Sequence, residues 1–223
     1  VYVFAFQLAG QIQQLLGSNL RTVLFPTFTR IQHDPGRLRS AIIRATAFTT
    51  LIGASLGGGI AAAASPLIDL VWVDKWDDAV NPARILAGCF SFRLLFPMLQ
   101  GIYMAQGRFR SLAGLSCAFG AAIVVAMTIV GLMTDNNTEL IALVAAVTFS
   151  LSVLIALIAG TRRFGVPSGG LLRRTLVVWF IPAAAAIGAI LLDDALIGSW
   201  HPIIRLVLCL SLIHISEPTR PSQ

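Results

Sequence analysis

The sequence predicts an all-α fold, a polytopic transmembrane helical bundle with about seven membrane segments. Hydrophobic residues make up 57% of the 223 residues and charged residues only 12%, against about 25% charged residues in an average soluble domain. The apolar residues form long blocks separated by short polar clusters, which is typical of a chain that crosses a bilayer repeatedly. These observations exclude an ordinary soluble domain.

Each apolar block is long enough to cross the hydrocarbon core as a helix of about 20 residues. The predicted segments are 1–25, 40–72, 79–105, 111–133, 140–160, 175–192 and a last one from about 197. We expect the first to end at Pro26, and the third contains Pro97. In the second we expect a bend or break, since it contains several helix-weakening residues: Gly53, Gly57, Gly58, Gly59 and Pro66.

The polar links between these segments alternate in charge. The first, third and fifth links are basic, with Arg21, Arg30, Arg37, Arg39, Arg44, then Arg108, Arg110, then Arg162, Arg163, Arg173 and Arg174. The others are acidic, with Asp74, Asp77 and Asp78 beside Lys75, then Asp135 and Glu139, then Asp193 and Asp194. Because Lys and Arg are retained on the cytoplasmic side, we expect the basic links to be cytoplasmic and the acidic links periplasmic.

The polar residues form no pattern typical of an enzyme, a metal site or a nucleic-acid-binding protein. The net charge of +6 comes from arginines between apolar blocks, without the aromatic or Gly-rich context of RNA binding. Cys89, Cys117 and Cys209 lie in apolar stretches without metal-ligand spacing. We therefore expect no catalytic residue, no cofactor, no metal and no nucleic acid.

One face of the first predicted helix is polar. Gln7, Gln11, Gln14 and Ser18 follow each other at spacings of four, three and four residues, and Arg21 continues the line. Polar side chains in a bilayer face the bundle interior or a watery cavity, and the amide of Gln suits sugar hydroxyls. We prefer a substrate cavity over the alternative, hydrogen bonding between helices without a ligand.

Arg93 is the most deeply placed charge in the sequence. It lies about 21 Å along the third predicted segment, near the centre of a hydrocarbon core about 30 Å thick. Arg84 lies closer to the outer surface and can snorkel to the headgroups, so its presence needs no further explanation. Two roles for Arg93 stay open, binding an anionic substrate group and hydrogen bonding to carbonyls around Pro97.

Both ends of the sequence have an unusual composition. The chain begins inside an apolar segment without Met, and residues 210–220 read LSLIHISEPTR. That string resembles the translated transposon-end adaptor used in making sequencing libraries. We therefore expect residues 1–209 to be one natural transmembrane unit cut at both ends, and residues 210–223 to be an artefact of the adaptor.

Three stretches of the first half of the chain resemble a known family. Residues 2–30 read YVFAFQLAGQIQQLLGSNLRTVLFPTFTR, and residues 32–38 read QHDPGRL. Residues 66–76 read PLIDLVWVDKW, and residues 105–108 read AQGR. In this order they are similar to polysaccharide flippases of the Wzx type, in the superfamily that also holds drug exporters and the lipid II flippase. The turn motif of those flippases is matched by Leu24, Phe25, Pro26, Phe28, Thr29 and Arg30.

The resemblance implies a function in polysaccharide biosynthesis at a bacterial inner membrane. The chain would be part of the C-terminal lobe of a two-lobe transporter, with the missing N-terminal lobe as a partner in the same protein. Its other partners would be membrane lipids and the substrate, a lipid-linked oligosaccharide carried on polyprenyl pyrophosphate. Such a protein exports precursors of lipopolysaccharide or exopolysaccharide without catalysing a reaction.

Three other functions stay open on the sequence. A drug or lipid II exporter of the same superfamily is one, although the predicted segments contain no deep acid of the kind that drug exporters carry. A membrane enzyme of glycan assembly is another, although the predicted outer links are too short for a catalytic loop. A structural membrane subunit is the third, and the deep Arg93 argues against it.

Overall fold

The computed structural model describes residues 1–72, 76–134, 137–162, 165–197 and 200–215. In these ranges every regular element is helical, so the chain is an all-α bundle. The α-helices are α1 Tyr2–Ile31, α2 Pro35–Trp72, α3 Val80–Phe90, α4 Leu95–Ala105, α5 Phe109–Met133, α6 Thr138–Arg162, α7 Ser168–Leu192 and α8 Pro202–Ile215. Short 3₁₀ turns occupy Asp77–Ala79 and Ser91–Leu94, and a π-helical turn occupies Asp193–Ile197.

The helices make this a multi-pass membrane protein. Within the described ranges, α2, α5, α6 and α7 are each long and apolar enough to cross a membrane, and the bent pair of α3 and α4 would be a fifth span. Length and composition thus support five of the expected segments. The α1 helix, with its polar face, is not among them, and α8 has only 14 residues, so these two spans stay predictions.

The first two helices run further than the sequence predicts. The α1 helix does not end at Pro26 but continues to Ile31, and Phe28 in this extension is buried in the core. The α2 helix begins at Pro35, where Asp34 caps it by accepting a hydrogen bond from the backbone N–H of Arg37 at 3.0 Å. The α2 helix has no break, because one helix of 38 residues runs from Pro35 to Trp72, and the bend stays a prediction.

At Gly58, α2 and α7 lie in close contact. A Cβ on Gly58 would lie 3.0 Å from Cβ of Ala186 and 3.3 Å from the carbonyl oxygen of Pro182. Glycine suits this position because a Cβ would require the neighbouring helix to shift by a few tenths of an ångström. Glycine weakens an isolated helix, but at this position it permits α2 and α7 to pack closely.

The third predicted segment is broken in its middle. A 3₁₀ turn at Ser91–Leu94 separates α3 from α4, and the two halves are bent by 43°. Pro97 explains the position of the break, because proline has no N–H to donate to the carbonyl four residues earlier, which belongs to Arg93. The predicted segment 79–105 is therefore two helices joined at a break, and Arg93 lies in that break.

Most arginines assigned to basic links lie in helices. Arg37, Arg39 and Arg44 belong to the first turns of α2, and Arg173 and Arg174 belong to α7, which starts earlier than predicted. The long Arg stem lets a helical residue near the membrane surface reach water. Arg163, Asp74, Lys75 and Asp135 lie outside the described residues, as do 216–223, and the adaptor origin of 210–223 stays a prediction.

Contacts between the helices show at which end of the bundle the acidic and the basic links lie. At one end of the bundle, the Asn81 side-chain amide donates to the Glu139 carboxylate at 2.9 Å, and Phe4 stacks on Trp76 at 4.7 Å between ring centres. At the other end, a hydrophobic cluster joins the end of α1 to the starts of α2 and α7, through Phe28, Leu38 and Leu171. Acidic and basic links thus lie at opposite ends.

Candidate functional site

A cavity of about 730 Å³ opens between the polar face of α1 and the broken third segment. Its volume is within the range of about 300–1,000 Å³ that holds small ligands. Polar and apolar side chains both line it, and they are Phe6, Gln7, Gln14, Ser18, Arg21, Arg93, Phe96, Pro97 and Gln100, with Gly10 and Gly17. This cavity is the candidate site.

The α1 helix supplies the polar wall. Gln7, Gln14, Ser18 and Arg21 all line the cavity, as their helical spacing requires. Gly17 lets α1 pack closely against α4 beside the helix break, since a Cβ on Gly17 would be 3.1 Å from Cγ of Pro97. The side chain of Gln11 lies outside the described part of the structure. The cavity therefore brings together three of the four polar residues that the sequence singles out.

Arg93 supplies the cation of the opposite wall. It lies in the 3₁₀ turn between α3 and α4, half-buried, and it lines the cavity. Its guanidinium carbon lies 5.0 Å from the ring centre of Phe149 and 5.6 Å from that of Phe6. Such cation–π contacts stabilise a charge in an apolar setting by about 0.5–2 kcal/mol each. Two aromatic rings thus hold Arg93 at the cavity.

Gln100 belongs to the site although the sequence analysis missed it. It lies in α4 and lines the cavity with Arg93. Seven residues, two helical turns, separate the two positions, so their shared face could have been read from the spacing. Phe6 and Phe96 were missed as well, because an aromatic residue in an apolar helix gives no sign of lining a polar cavity.

A separate ion-pair network lies away from this cavity, at the end with the acidic links. Arg84 donates two hydrogen bonds to the Asp194 carboxylate, at 3.0 and 2.9 Å, and lies 3.7 Å from Asp193. Arg84 is therefore explained by its ion pairs within the bundle and not by snorkelling. Its side chain is only 13% exposed because it is paired within the bundle.

Arg205, which the sequence analysis did not single out, is the centre of that network. It donates to Asp193 through Nε at 2.7 Å and Nη2 at 2.8 Å, and to Asp69 through Nη1 at 2.6 Å. Nη2 also donates to the Ser65 hydroxyl at 2.9 Å. Asp193 is fully buried, so the first acid of the predicted sixth link packs inside the bundle, while Asp194 is exposed.

The arrangement suits a polar, anionic ligand. Glutamine amides and a serine hydroxyl donate and accept hydrogen bonds, and two arginines attract phosphate-like groups. Of the arginines assigned to the basic links, Arg21 lines the cavity and the others in the described ranges do not. The described residues include no group of three potential metal ligands. How each lining residue acts on a substrate stays a prediction.

Comparison with known proteins supports the coarse form of the family resemblance. Residues 1–81 match a family described as polysaccharide biosynthesis protein. The match includes α1, which forms the polar wall of the cavity, and α2. No curated protein and no solved structure matches the chain. The N-terminal part of this multi-pass membrane protein is thus similar to proteins of polysaccharide biosynthesis.

Proposed function

We propose that this protein moves a lipid-linked oligosaccharide across the bacterial inner membrane, as Wzx-type flippases do, and that it catalyses no reaction. The substrate would be a glycan on polyprenyl pyrophosphate. The observation that carries the proposal is the shared cavity, in which the polar face of α1 lies opposite Arg93. The family match over residues 1–81 supports the connection with polysaccharides.

The polar wall suits the sugar part of such a substrate. Gln7, Gln14 and Gln100 offer neutral donors and acceptors on two sides of the cavity. A neutral amide can donate hydrogen bonds to many different hydroxyls and accept hydrogen bonds from them. Because it carries no charge, it does not hold a counter-ion in the cavity. A glycan could thus pass while its hydroxyls remain hydrogen-bonded.

Arg93 suits the pyrophosphate. An arginine near mid-depth costs at least about 2.5–3.5 kcal/mol on insertion scales, so a function is the default reading of such a residue. A planar guanidinium binds phosphate oxygens in a bidentate manner. Arg21 lines the same cavity from α1, four residues short of the predicted cytoplasmic end of that segment. Two cations in one cavity offer successive positions for a moving anion.

The break at Arg93 fits a transporter that alternates between inward-open and outward-open states. Discontinuous helices occur in membranes where they line a cavity, because unpaired backbone groups then find protein or water partners. The 43° bend between α3 and α4 lies at this cavity. A hinge in the cavity wall would couple substrate binding to the movement of α3 relative to α4.

The test uses the complete protein in cells that depend on it for surface glycan. Arg93→Gln should reduce glycan export by about tenfold or more, the loss expected for one charge-assisted hydrogen bond. Arg93→Lys should retain part of the activity, since it keeps the charge without the planar fork. Arg110→Gln is the matched control, because Arg110 is exposed on α5 and does not line the cavity.

Export at the wild-type rate by Arg93→Gln, with normal protein level in the membrane, would remove Arg93 from the mechanism. Accumulation of lipid-linked glycan on the cytoplasmic side should accompany the loss in a flippase. A defect in glycan chain length with normal translocation would instead indicate a membrane enzyme of glycan assembly.

A further inference from the structure

A second groove lies between α2 and α7 and shares no lining residue with the cavity. Its volume is about 440 Å³, and its walls are mainly apolar, with Phe48 and Leu51 on α2 and Val178 and Ile181 on α7. Phe48 is 61% exposed and Ile181 is 51% exposed, so the groove is open to the outside of the bundle. In a membrane, the outside at this level is lipid.

Two arginines, Arg44 on α2 and Arg174 on α7, line this groove. The contact of Gly58 with Ala186 fixes the alignment of the two helices. Arg44 lies 14 residues before Gly58, or about 21 Å along the helix, and Arg174 lies 12 residues before Ala186, or about 18 Å. The two guanidinium groups are therefore at the same end of the groove, the end with the basic links.

The described residues supply no counter-ion for this pair. No described carboxylate lies within 4.0 Å of Arg44 or Arg174, and both side chains are exposed. Two like charges beside one groove repel each other, so an anion between them would lower their energy. The apolar walls beyond them suit a hydrocarbon chain.

We propose that this groove binds an anionic diacyl phospholipid. Its phosphate would lie between Arg44 and Arg174, and one acyl chain would follow the apolar walls past Phe48. Arginine pairs well with phosphate, and basic pockets between membrane helices bind anionic headgroups. The occupant is a resident lipid of the membrane, not the transported substrate, because the groove lies apart from the cavity.

The proposal can be tested by counting bound lipids. The complete protein is purified, delipidated and titrated with phosphatidylglycerol or with phosphatidylcholine of the same acyl chains, and native mass spectrometry measures the number bound. Wild-type protein should bind one phosphatidylglycerol more tightly than any phosphatidylcholine. Arg174→Gln should weaken that binding about tenfold, and Arg44→Gln should do the same.

Arg173→Gln is the matched control, because Arg173 is the next residue of α7, is exposed and does not line the groove. It should bind phosphatidylglycerol as the wild type does. Arg44→Lys with Arg174→Lys keeps both charges and should retain part of the binding, which separates lost binding from misfolding. Phe48→Ala should weaken a long-chain lipid more than one with short acyl chains.

Three outcomes would overturn the proposal. Equal losses in Arg173→Gln and Arg174→Gln would indicate a diffuse basic surface without a site. Equal affinity of the wild type for both phospholipids would show that the arginines do not select a charge. Displacement of the bound lipid by an equimolar polyprenyl phosphate would assign the groove to the substrate. Because glycan export is not the readout, these results are independent of the proposed function.

Discussion

The guanidinium of Arg205 and the carboxylate of Asp193 form a bidentate ion pair, with N···O distances of 2.7 and 2.8 Å. Asp193 is fully buried in the turn after α7, and Arg205 is on α8. The same guanidinium reaches Asp69 on α2 at 2.6 Å. One arginine therefore ties together three helical elements at the end of the bundle that carries the acidic links.

Asp193→Asn should destabilise the protein strongly. The buried Arg205 would lose its bidentate partner, and breaking a buried pair on one side costs about 3–5 kcal/mol. Thermal unfolding of the complete protein in detergent should show a lower Tm. Asp78→Asn is the control, because Asp78 is exposed, and a surface substitution of this kind changes stability by about 0.5 kcal/mol or less. Equal Tm values for both variants would contradict a stabilising role for the pair.

Gly58→Ala should also lower the Tm. The added Cβ would lie 3.0 Å from Cβ of Ala186 and 3.3 Å from the carbonyl oxygen of Pro182, so the backbone of α7 would have to shift by a few tenths of an ångström. Gly59→Ala is the control on the next residue, where no neighbouring atom lies within 4 Å. Without a clash, Gly→Ala in a helix is favourable by up to about 1 kcal/mol. The two variants should therefore shift the Tm in opposite directions, and a stabilising Gly58→Ala would refute the tight contact.

The polar face of α1 can be tested by Gln7→Leu together with Gln14→Leu. Both residues line the cavity, so their loss should lower glycan export while the amount of protein in the membrane stays unchanged. Asn19→Leu is the matched control, because Asn19 is an exposed polar residue of the same helix that does not line the cavity. Unchanged export in the glutamine variant would favour a role in helix packing.

The expected orientation in the membrane can be measured by cysteine labelling. In a version without Cys89, Cys117 and Cys209, a single cysteine is introduced at Asp77 or at Phe109, which are both exposed. An impermeant reagent added to intact cells should label position 77 and not position 109, because basic segments stay cytoplasmic. Labelling with the opposite pattern would invert the topology. Asp193 is unsuitable as a periplasmic probe, since it is buried.

The sequence alone predicts most of this architecture for a physical reason. Helices in a bilayer must satisfy their backbone internally, so apolar length translates directly into helical spans. The face that holds Gln7, Gln14 and Ser18 likewise follows from the helical period alone. These features depend on residues that lie near each other in the chain, and the spacing of such residues can be read directly from one sequence.

The features that the sequence did not predict depend on residues far apart in the chain. Arg84 looked exposed because its partner, Asp194, lies 110 positions later. Arg205 gave no local sign of being a centre of ion pairs, and the glycines of α2 indicated a break because the partner helix was unknown. Pro97 was noticed, but whether proline kinks or breaks a helix depends on the surrounding packing.

The length of α2 has a mechanical consequence. Its 38 residues extend for about 57 Å, nearly twice the hydrocarbon thickness of about 30 Å. Even at a tilt of about 40°, the upper end of the usual range, the helix would cover about 44 Å along the membrane normal. That equals the whole bilayer with its headgroups, about 40–45 Å. The α2 helix is therefore long enough to extend beyond the hydrocarbon core on both sides, and as one unbroken helix it can carry a displacement from one surface of the membrane to the other.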